Sequence, residues 1–594
     1  MPHHPRLLAS AVCGMLLLSP AVPSALAAGP TAPADASSAP SPDAPATPSS
    51  NALAARRAIT VHTGDAPVLA TASNGVRITD TGYGSALTHR PGDPDDVFLG
   101  MTDRGPNTDS EKSGEKIEPL TFQPAIGRFR LVGGRMILDK RIGLRTADGT
   151  PVNGAVNTEA TTGETIVDLD GNPVAPSPAG LDPEGLVAAP DGTFWISDEY
   201  GPYVLHVDAT GREISRLKPF DGSLPGELAM RTANRGMEGL TLTPDGRTLV
   251  GVMQSALETP DLKGGFKKVP FVRIVTIDVA SRKVTGQYLY LLHLSEARTS
   301  VSEITAVGNH TLLVDERDGD AGPDTFKRLY RIDLSRATNI LNPPPGTTYD
   351  ASRGGLLVSG KSLEGLVSAD KSAASNEDRA AEILSAHGIT AAQGELALDM
   401  TRLVWTADPS GRTFPHDKIE GVAVTHGGRT ITVSNDSDFG INGIVKGSHD
   451  PFQLVTKAFG LDTGRQDVGE ALTVDMDALP ASLRGPGDRT PTVTINDKGV
   501  AAHNLEPDTD YTVTIDGHRV GDLAADGSGR ASLTWRKLAT GKHTVTVSLN
   551  ESALATSTIT ITGQNGPANP TASAPAGAHP TVRPARPGLP RTGV

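Results

Sequence analysis

The chain has 594 residues, 37% of them hydrophobic, and a formal net charge of −14. That length accommodates two or three domains, each burying its own core. The acidic balance excludes a nucleic-acid partner, whose phosphates demand a basic face, and suits hard cations that take oxygen ligands.

In chain order, the first 28 residues set the compartment. Arg6 gives a short positive region, Leu7 to Leu18 an apolar run, and Ala25-Leu26-Ala27 a small-residue cleavage site. The run is too short to span a bilayer, so 1–28 reads as a signal peptide and the mature chain as secreted, without a membrane span. The single cysteine, Cys13, lies inside this leader, and Ser10 and Val12 occupy the places where a lipoprotein signal needs Leu and a small residue. The mature chain therefore has no disulfide, thiolate nucleophile or cysteine zinc site. Residues 29–57, rich in Ala, Pro, Ser and Thr, read as a disordered linker.

Residues 58–486 contain an internal repeat. Asp182-Pro183-Glu184-Gly185-Leu186, Asn234-Arg235-Gly236-Met237-Glu238-Gly239-Leu240 and Lys418-Ile419-Glu420-Gly421-Val422 each open an apolar strand. A turn follows each (Pro190-Asp191-Gly192, Pro244-Asp245-Gly246, His426-Gly427-Gly428), and then a second strand. Val301-Ser302-Glu303-Ile304 is a weaker fourth copy, and Tyr83 to Met101 a fifth without Glu. Four antiparallel strands per unit, repeated every 40 to 60 residues, predict an all-β chain built on a β-propeller. Five units are visible; six blades are expected, with strand-like pieces at 59–78 and 471–476 completing the sixth. The Ala/Glu/Asp-rich stretch Ser372 to Gln393 predicts a helical insertion on the rim.

Residues 489–562 alternate cleanly, as in Thr492-Val493-Thr494-Ile495, and predict a small immunoglobulin-like sandwich acting as a spacer or adhesion module. The tail, 563–594, is Pro/Ala-rich and ends in Leu589-Pro590-Arg591-Thr592-Gly593, which matches the LPxTG signal for cell-wall attachment. No apolar segment or basic tail follows before Val594, which suggests truncation or a dead signal. Cell-wall association is the matching expectation, and the protein is expected to be a monomer.

Several motifs can be set aside. Gly355 to Ser362 satisfies the P-loop pattern, but Leu356, Leu357 and Val358 fill the loop with bulk and a polar stretch precedes it. There is no G-x-S-x-G elbow and no H-E-x-x-H.

The remaining chemistry is oxygen-rich and in phase with the repeat. Glu184, Glu238, Glu303 and Glu420 start first strands; Asp103, Asp198 with Glu199, Gln254, Asp315 with Glu316, and Asn435 with Asp436 follow second strands. Radial repetition would bring such positions around one axis, where packed like charges call for a compensating cation. Calcium, with six to eight oxygen ligands, is the expected cofactor. Taken singly, each acid could instead cap a strand end. Arg104, Arg235, Arg317 and Lys418 accompany the acids, as clamps for an anion or as bridges between units.

The ordered set Asp103-Arg104-Gly105-Pro106-Asn107, Asp-Pro-Glu-Gly-Leu, Trp195 to Pro202, Asn-Arg-Gly-Met-Glu-Gly-Leu, Lys-Ile-Glu-Gly-Val and Ser434 to Gly440 resembles the secreted phytase-like family, named for "esterase-like activity of phytase". The resemblance runs through most of 58–450 and implies a propeller with phosphoester or carboxylester hydrolase chemistry. The expected function is a calcium-dependent ester hydrolase for small phosphomonoesters or carboxylic esters. Its metal ligands would be Glu184, Glu238, Glu303, Glu420 and Asn435. Asp198 or Asp103 would serve as general base, and Arg104 or Arg235 would steady developing negative charge. Two rivals are a non-catalytic calcium-stabilised surface-binding propeller and a lactonase of the gluconolactonase type.

Overall fold

A computed structural model of the chain describes residues 50–160, 163–293, 299–507, 509–536, 538–549 and 552–562. The expected signal peptide, most of the expected linker and the wall-type tail lie outside the described residues.

The Asp-Gly turns do what their chemistry requires. Gly192 takes φ +90°, and Asp191 accepts the Thr193 N–H at 3.0 Å, which folds Pro183–Ala188 back on Phe194–Asp198. Gly246 and Asp245 repeat the device between Met237–Leu242 and Thr248–Met253. Each hairpin grows into a four-stranded antiparallel unit. The second unit adds Val204–Val207 and Glu213–Leu217, the third Phe271–Asp278 and Lys283–Leu291. The first unit comprises Ala86–Thr88, Val97–Met101, Ala125–Val132 and Arg135–Gly143. Ser300–Ala306, Thr311–Arg317, Lys327–Asp333 and Glu395–Asp399 form the fourth.

The fifth unit joins Ile419–Thr425, Thr430–Asn435 and Glu470–Asp475 to Ile59–Gly64, which comes from the other end of the domain. The two pieces expected to start and finish a sixth unit thus complete the fifth. Val61 faces Leu472 and His62 faces Ala471 in one antiparallel ladder, whereas Val68–Thr71 and Arg77–Thr79 make only a two-stranded ribbon. Ile59–Gly64 also pairs in parallel with Arg135–Gly143, fusing the fifth and first units into an eight-stranded sheet.

The first strands of the five units touch in a cycle: first to second, second to third, third to fourth, fourth to fifth, and fifth back to first. Every step has its own apolar cluster, such as Leu99 and Ile126 against Leu186 and Ile196, or Leu87 and Phe98 against Ala423 and Ala471. Strands buried on both faces explain the runs of unbroken apolar residues, as in Val97–Met101. The architecture is therefore mostly β, with radially repeated sheets in the manner of a propeller.

One segment differs from the sequence reading. Ser50–Ala58 is an α-helix rather than linker: Ala55 and Ala58 are small enough to seat it in the core beside Leu403 and Val404 of the helix Met400–Ala407. The expected rim helix is present as Glu377–Ser385, capped by Asn376, within a longer insertion between the last two strands of the fourth unit. In the same insertion Gly355–Val358 pairs with Thr347–Asp350, so the P-loop look-alike has its backbone in a β-ladder.

Residues 492–561 form a three-stranded and a four-stranded sheet around one core containing Val500, Val513, Leu523, Val545 and Val547. Glu506 ties this unit to the repeat domain by accepting the N–H groups of Asn309 and His310 at 2.6 and 2.7 Å. Among the described residues no helix is long and apolar enough to cross a membrane.

Candidate functional site

The acids reach the axis through a repeated irregularity. In the second unit Pro183 pairs with Asp198 and Gly185 with Ser197, so Glu184 is the extra residue of a β-bulge. Glu238 is the extra residue in the third unit, between Met237 opposite Met253 and Gly239 opposite Val252. Glu420 falls in the corresponding break of the fifth unit, between Ile419 and Val422. The glycine after each Glu has a separate task. A Cβ on Gly185 would stand 2.5 Å from Leu240 N, on Gly239 2.6 Å from Ile304 N, and on Gly421 2.5 Å from Leu87 N. The Glu-Gly pair therefore re-aims a carboxylate and lets the next unit's backbone approach.

Three of the four predicted glutamates share this mouth. Burial raises the Glu184 carboxyl well above the usual range, and the charges of Asp182, Glu238, Glu199 and Glu420 add to the effect. Burial likewise lifts Glu238 to about 7, with the Glu420 charge adding and hydrogen bonds from Glu199 and Gln254 opposing. Gln254 Nε2 lies 3.0 Å from both Glu238 oxygens. Glu199, raised well above the usual range by burial and then by Glu238, is hydrogen-bonded to Glu238. Two carboxyls can bond in this way only when they share a proton. Glu420 is paired with Arg317 of the preceding unit.

Asp103 joins the group from the end of the first unit's second strand. Its carboxyl accepts the Gly105 N–H at 2.9 Å, and burial together with Asp436 and Asp182 holds it well above the usual range. Asp103, Asp182 and Glu184 each offer an oxygen within 4.8 Å of the other two.

Glu303 does not share the phase of the other glutamates. Val301 pairs with Glu316 and Glu303 with Asp315, so Ser302 takes the bulge and Glu303 the ladder position that glycine holds elsewhere. A one-residue slip reverses the face of a side chain. The Glu303 carboxylate accepts the N–H groups of Ile304, at 2.9 Å, and Leu240. Asn435 is also committed: its oxygen accepts the Glu470 N–H at 2.7 Å, and its nitrogen donates to Val468 O at 3.1 Å. Both are engaged in bonds of the fold, unlike Glu184.

Asp198 accepts the Asp182 N–H at 2.7 Å and the Gly201 N–H at 2.5 Å, and burial raises it to about 7. Those bonds tie Asp198 to the strand end. Arg104 is buried, with Nη1 2.7 Å from Glu164 and a further bond to Tyr200, so it anchors the loop around the Asp103 segment rather than facing the mouth. Arg235 lies against Phe266, 4.9 Å from the ring centroid, and donates to Gln254. It acts on Glu238 through that amide.

Lys418 donates to Asp436 at 3.0 Å and Asp438 at 2.5 Å, leaving Arg317, Arg235 and Lys418 as the partly exposed cations of the mouth. Asp182, which precedes the Glu-Gly motif by two residues, is the acid the phase argument passed over; its place in Asp-Pro-Glu-Gly was the available signal. A cavity of about 1230 Å³ lies at the other end of the first strands, lined by Thr88, Ala188, Thr243 and Val307 and by Glu506 and Tyr511 of the sandwich. It has no part in the carboxylate chemistry.

These features define a class: a ring of repeated β-units with an acidic mouth at the start of its inner strands. The family model "Phytase-like: Esterase-like activity of phytase" matches residues 79–439, more than half of the chain, and the chain belongs to that family. A curated relative, an uncharacterized secreted protein of Arthroderma benhamiae, is 29% identical over 258 residues, which is 34% of this chain and 49% of the relative. The chain thus matches about half the length of that relative. Among solved structures, the Swd1 β-propeller domain of Myceliophteria thermophila covers 61% of this chain and 91% of its own, at 10% identity and a TM-score of 0.17. The Dos1 propeller covers 83% and 94%, at 10% identity and a TM-score of 0.25. Scores this low add nothing to the fold argued above.

Proposed function

We propose that this phytase-like protein is a secreted, calcium-dependent ester hydrolase acting on small phosphomonoesters or carboxylic esters. The repeat domain is read as a five-bladed propeller, supported by the closed cycle of inner strands, and the sandwich as an immunoglobulin-like spacer. Secretion is supported by the leader and by the secreted relative.

The feature that carries the reading is the pairing of Glu199 with Glu238, in which burial holds Glu199 well above the usual range and lifts Glu238 to about 7, beside the half-buried carboxyl of Glu184. Two carboxyls whose environments separate their protonation supply an acid and a base at neutral pH. Glu238 takes a proton from the attacking water as its oxygen bonds to phosphorus or to the carbonyl carbon. Glu199 gives a proton to the departing alcohol oxygen as the ester bond breaks. The hydrogen bond between them then returns the proton from Glu238 to Glu199, which restores the pair. Arg317 and Lys418 attract an anionic substrate to the mouth.

The donors suit calcium: Glu184 and its neighbours are hard carboxylates, and Asp182 Oδ2 is buried without a hydrogen-bond partner. Bound there, calcium would polarise the ester oxygen and lower the pKa of a bound water. Purified protein is expected to cleave p-nitrophenyl phosphate or p-nitrophenyl acetate and to lose that activity in EGTA. No cleavage of either ester with calcium present would end the hydrolase reading.

The second reading is a calcium-stabilised binding propeller without turnover. It is favoured by the number of residues expected at the site, Glu303, Asn435, Asp198 and Arg104 among them, that are engaged in structural bonds.

A further inference from the structure

We propose that Asp103, Asp182 and Glu184 form the seat of one hard divalent cation, calcium, between the first and second units. The ring of four glutamates expected from the repeat is not that seat, since Glu303 faces backbone N–H groups and Glu420 is paired with Arg317. The catalytic meaning of the seat rests on the hydrolase reading above, whereas cation binding is measured separately.

Three observations support it. The three carboxylates present oxygens mutually within 4.8 Å. Oxygens that share a calcium at about 2.3–2.6 Å stand at most about 5 Å apart, so the triad already spans one coordination sphere. Asp182 is 1% exposed, and its Oδ2 is buried with no hydrogen-bond partner. Such an atom is costly unless something charged lies against it. Glu184 is half-buried, and among the described residues neither of its oxygens meets a hydrogen-bond donor.

The local cation does not balance the site. Arg104 Nε is 3.7 Å from Asp182 Oδ2, and the same guanidinium serves Glu164 at 2.7 Å. One shared positive charge faces three converging carboxylates. The triad has no His or Cys, so its chemistry selects calcium or magnesium over softer metals. Three carboxylates supply part of a sphere of six to eight oxygens, and the half-buried Glu184 side leaves the rest to water or an ester oxygen.

The test is calorimetric titration of chelator-treated full-length protein with calcium chloride and with magnesium chloride, with ester turnover followed in parallel. Glu184→Gln is the primary variant, because its oxygens hold no bond of the fold; Asp182→Asn is the second. One calcium per chain is expected, bound about tenfold or more weakly by either variant. Wild-type protein that binds no calcium overturns the seat, as do variants that bind it as tightly as wild type. Calcium binding lost in both variants, in a protein that cleaves no ester, upholds the seat and removes only the hydrolase reading. Turnover indifferent to EGTA, without calcium binding, overturns the seat and the calcium dependence together and leaves only ester hydrolysis.

Discussion

Glu303 holds in the fourth unit the ladder position that Gly239 holds in the third, one residue past the bulge where Glu238 stands. Its carboxylate lies over Gly239 and accepts N–H groups from both units. Two glutamates that look equivalent in the repeat therefore do different work: one joins neighbouring sheets and the other faces the mouth.

Glu303→Ala leaves the N–H groups of Ile304 and Leu240 without their buried acceptor. A loss of about 1–3 kcal/mol in stability is expected, read by chemical denaturation. Turnover per folded molecule should stay within about twofold, since the residue touches no reacting atom. A variant of normal stability but without activity would place Glu303 back in the site.

Gly239→Ala tests the close approach of the inner strands. Its Cβ would meet Ile304 N and Glu303 Oε1, each at 2.6 Å, so the third and fourth units must move apart. The expected cost is about 1–3 kcal/mol. Gly319→Ala, with nothing within 4 Å of the added carbon, is the control and should melt like wild type. Equal melting temperatures for the two variants would remove the close-packing role assigned to the Glu-Gly pair.

His416 is buried between Asp467, at 2.9 Å, and Glu470, at 3.1 Å. Burial lowers its pKa, but Asp467 and Glu470 outweigh that and raise it to about 9 from 6.5. Because the folded value lies above the unfolded one, this stabilisation is complete below about pH 6.5 and fades as pH rises through about 9. Its size is on the order of 3 kcal/mol. His416→Gln should melt well below wild type at pH 6, and the gap should close by about pH 10. A gap independent of pH would show that the imidazolium is not the stabilising species.

Much of this was legible because it is local. Asp191-Gly192 and Asp245-Gly246 make turns by their own backbone chemistry, and the Glu-Gly pairs recur where each unit begins. The slip at Ser302 was hidden because a bulge adds one residue without changing composition. Asn435 looked free because its partners, Val468 and Glu470, lie more than 30 residues away in sequence. The place of Ile59–Gly64 was hidden for a related reason: it is strand-like by itself, and only the pairing across the chain shows that it belongs beside Glu470–Asp475. Ser50–Ala58 read as linker because its apolar residues are mostly alanine, enough to seat a helix but weak as a hydrophobic signal.

The central claim is that Glu238 works on a substrate rather than on the fold. The direct measurement is turnover of Glu238→Gln, with the ester that wild type cleaves, beside its melting temperature in calcium. Loss of about 10²- to 10⁴-fold in kcat is predicted, with melting changed by only a few degrees. Unchanged turnover in a variant that melts much earlier would contradict the account and leave the mouth as a structural site.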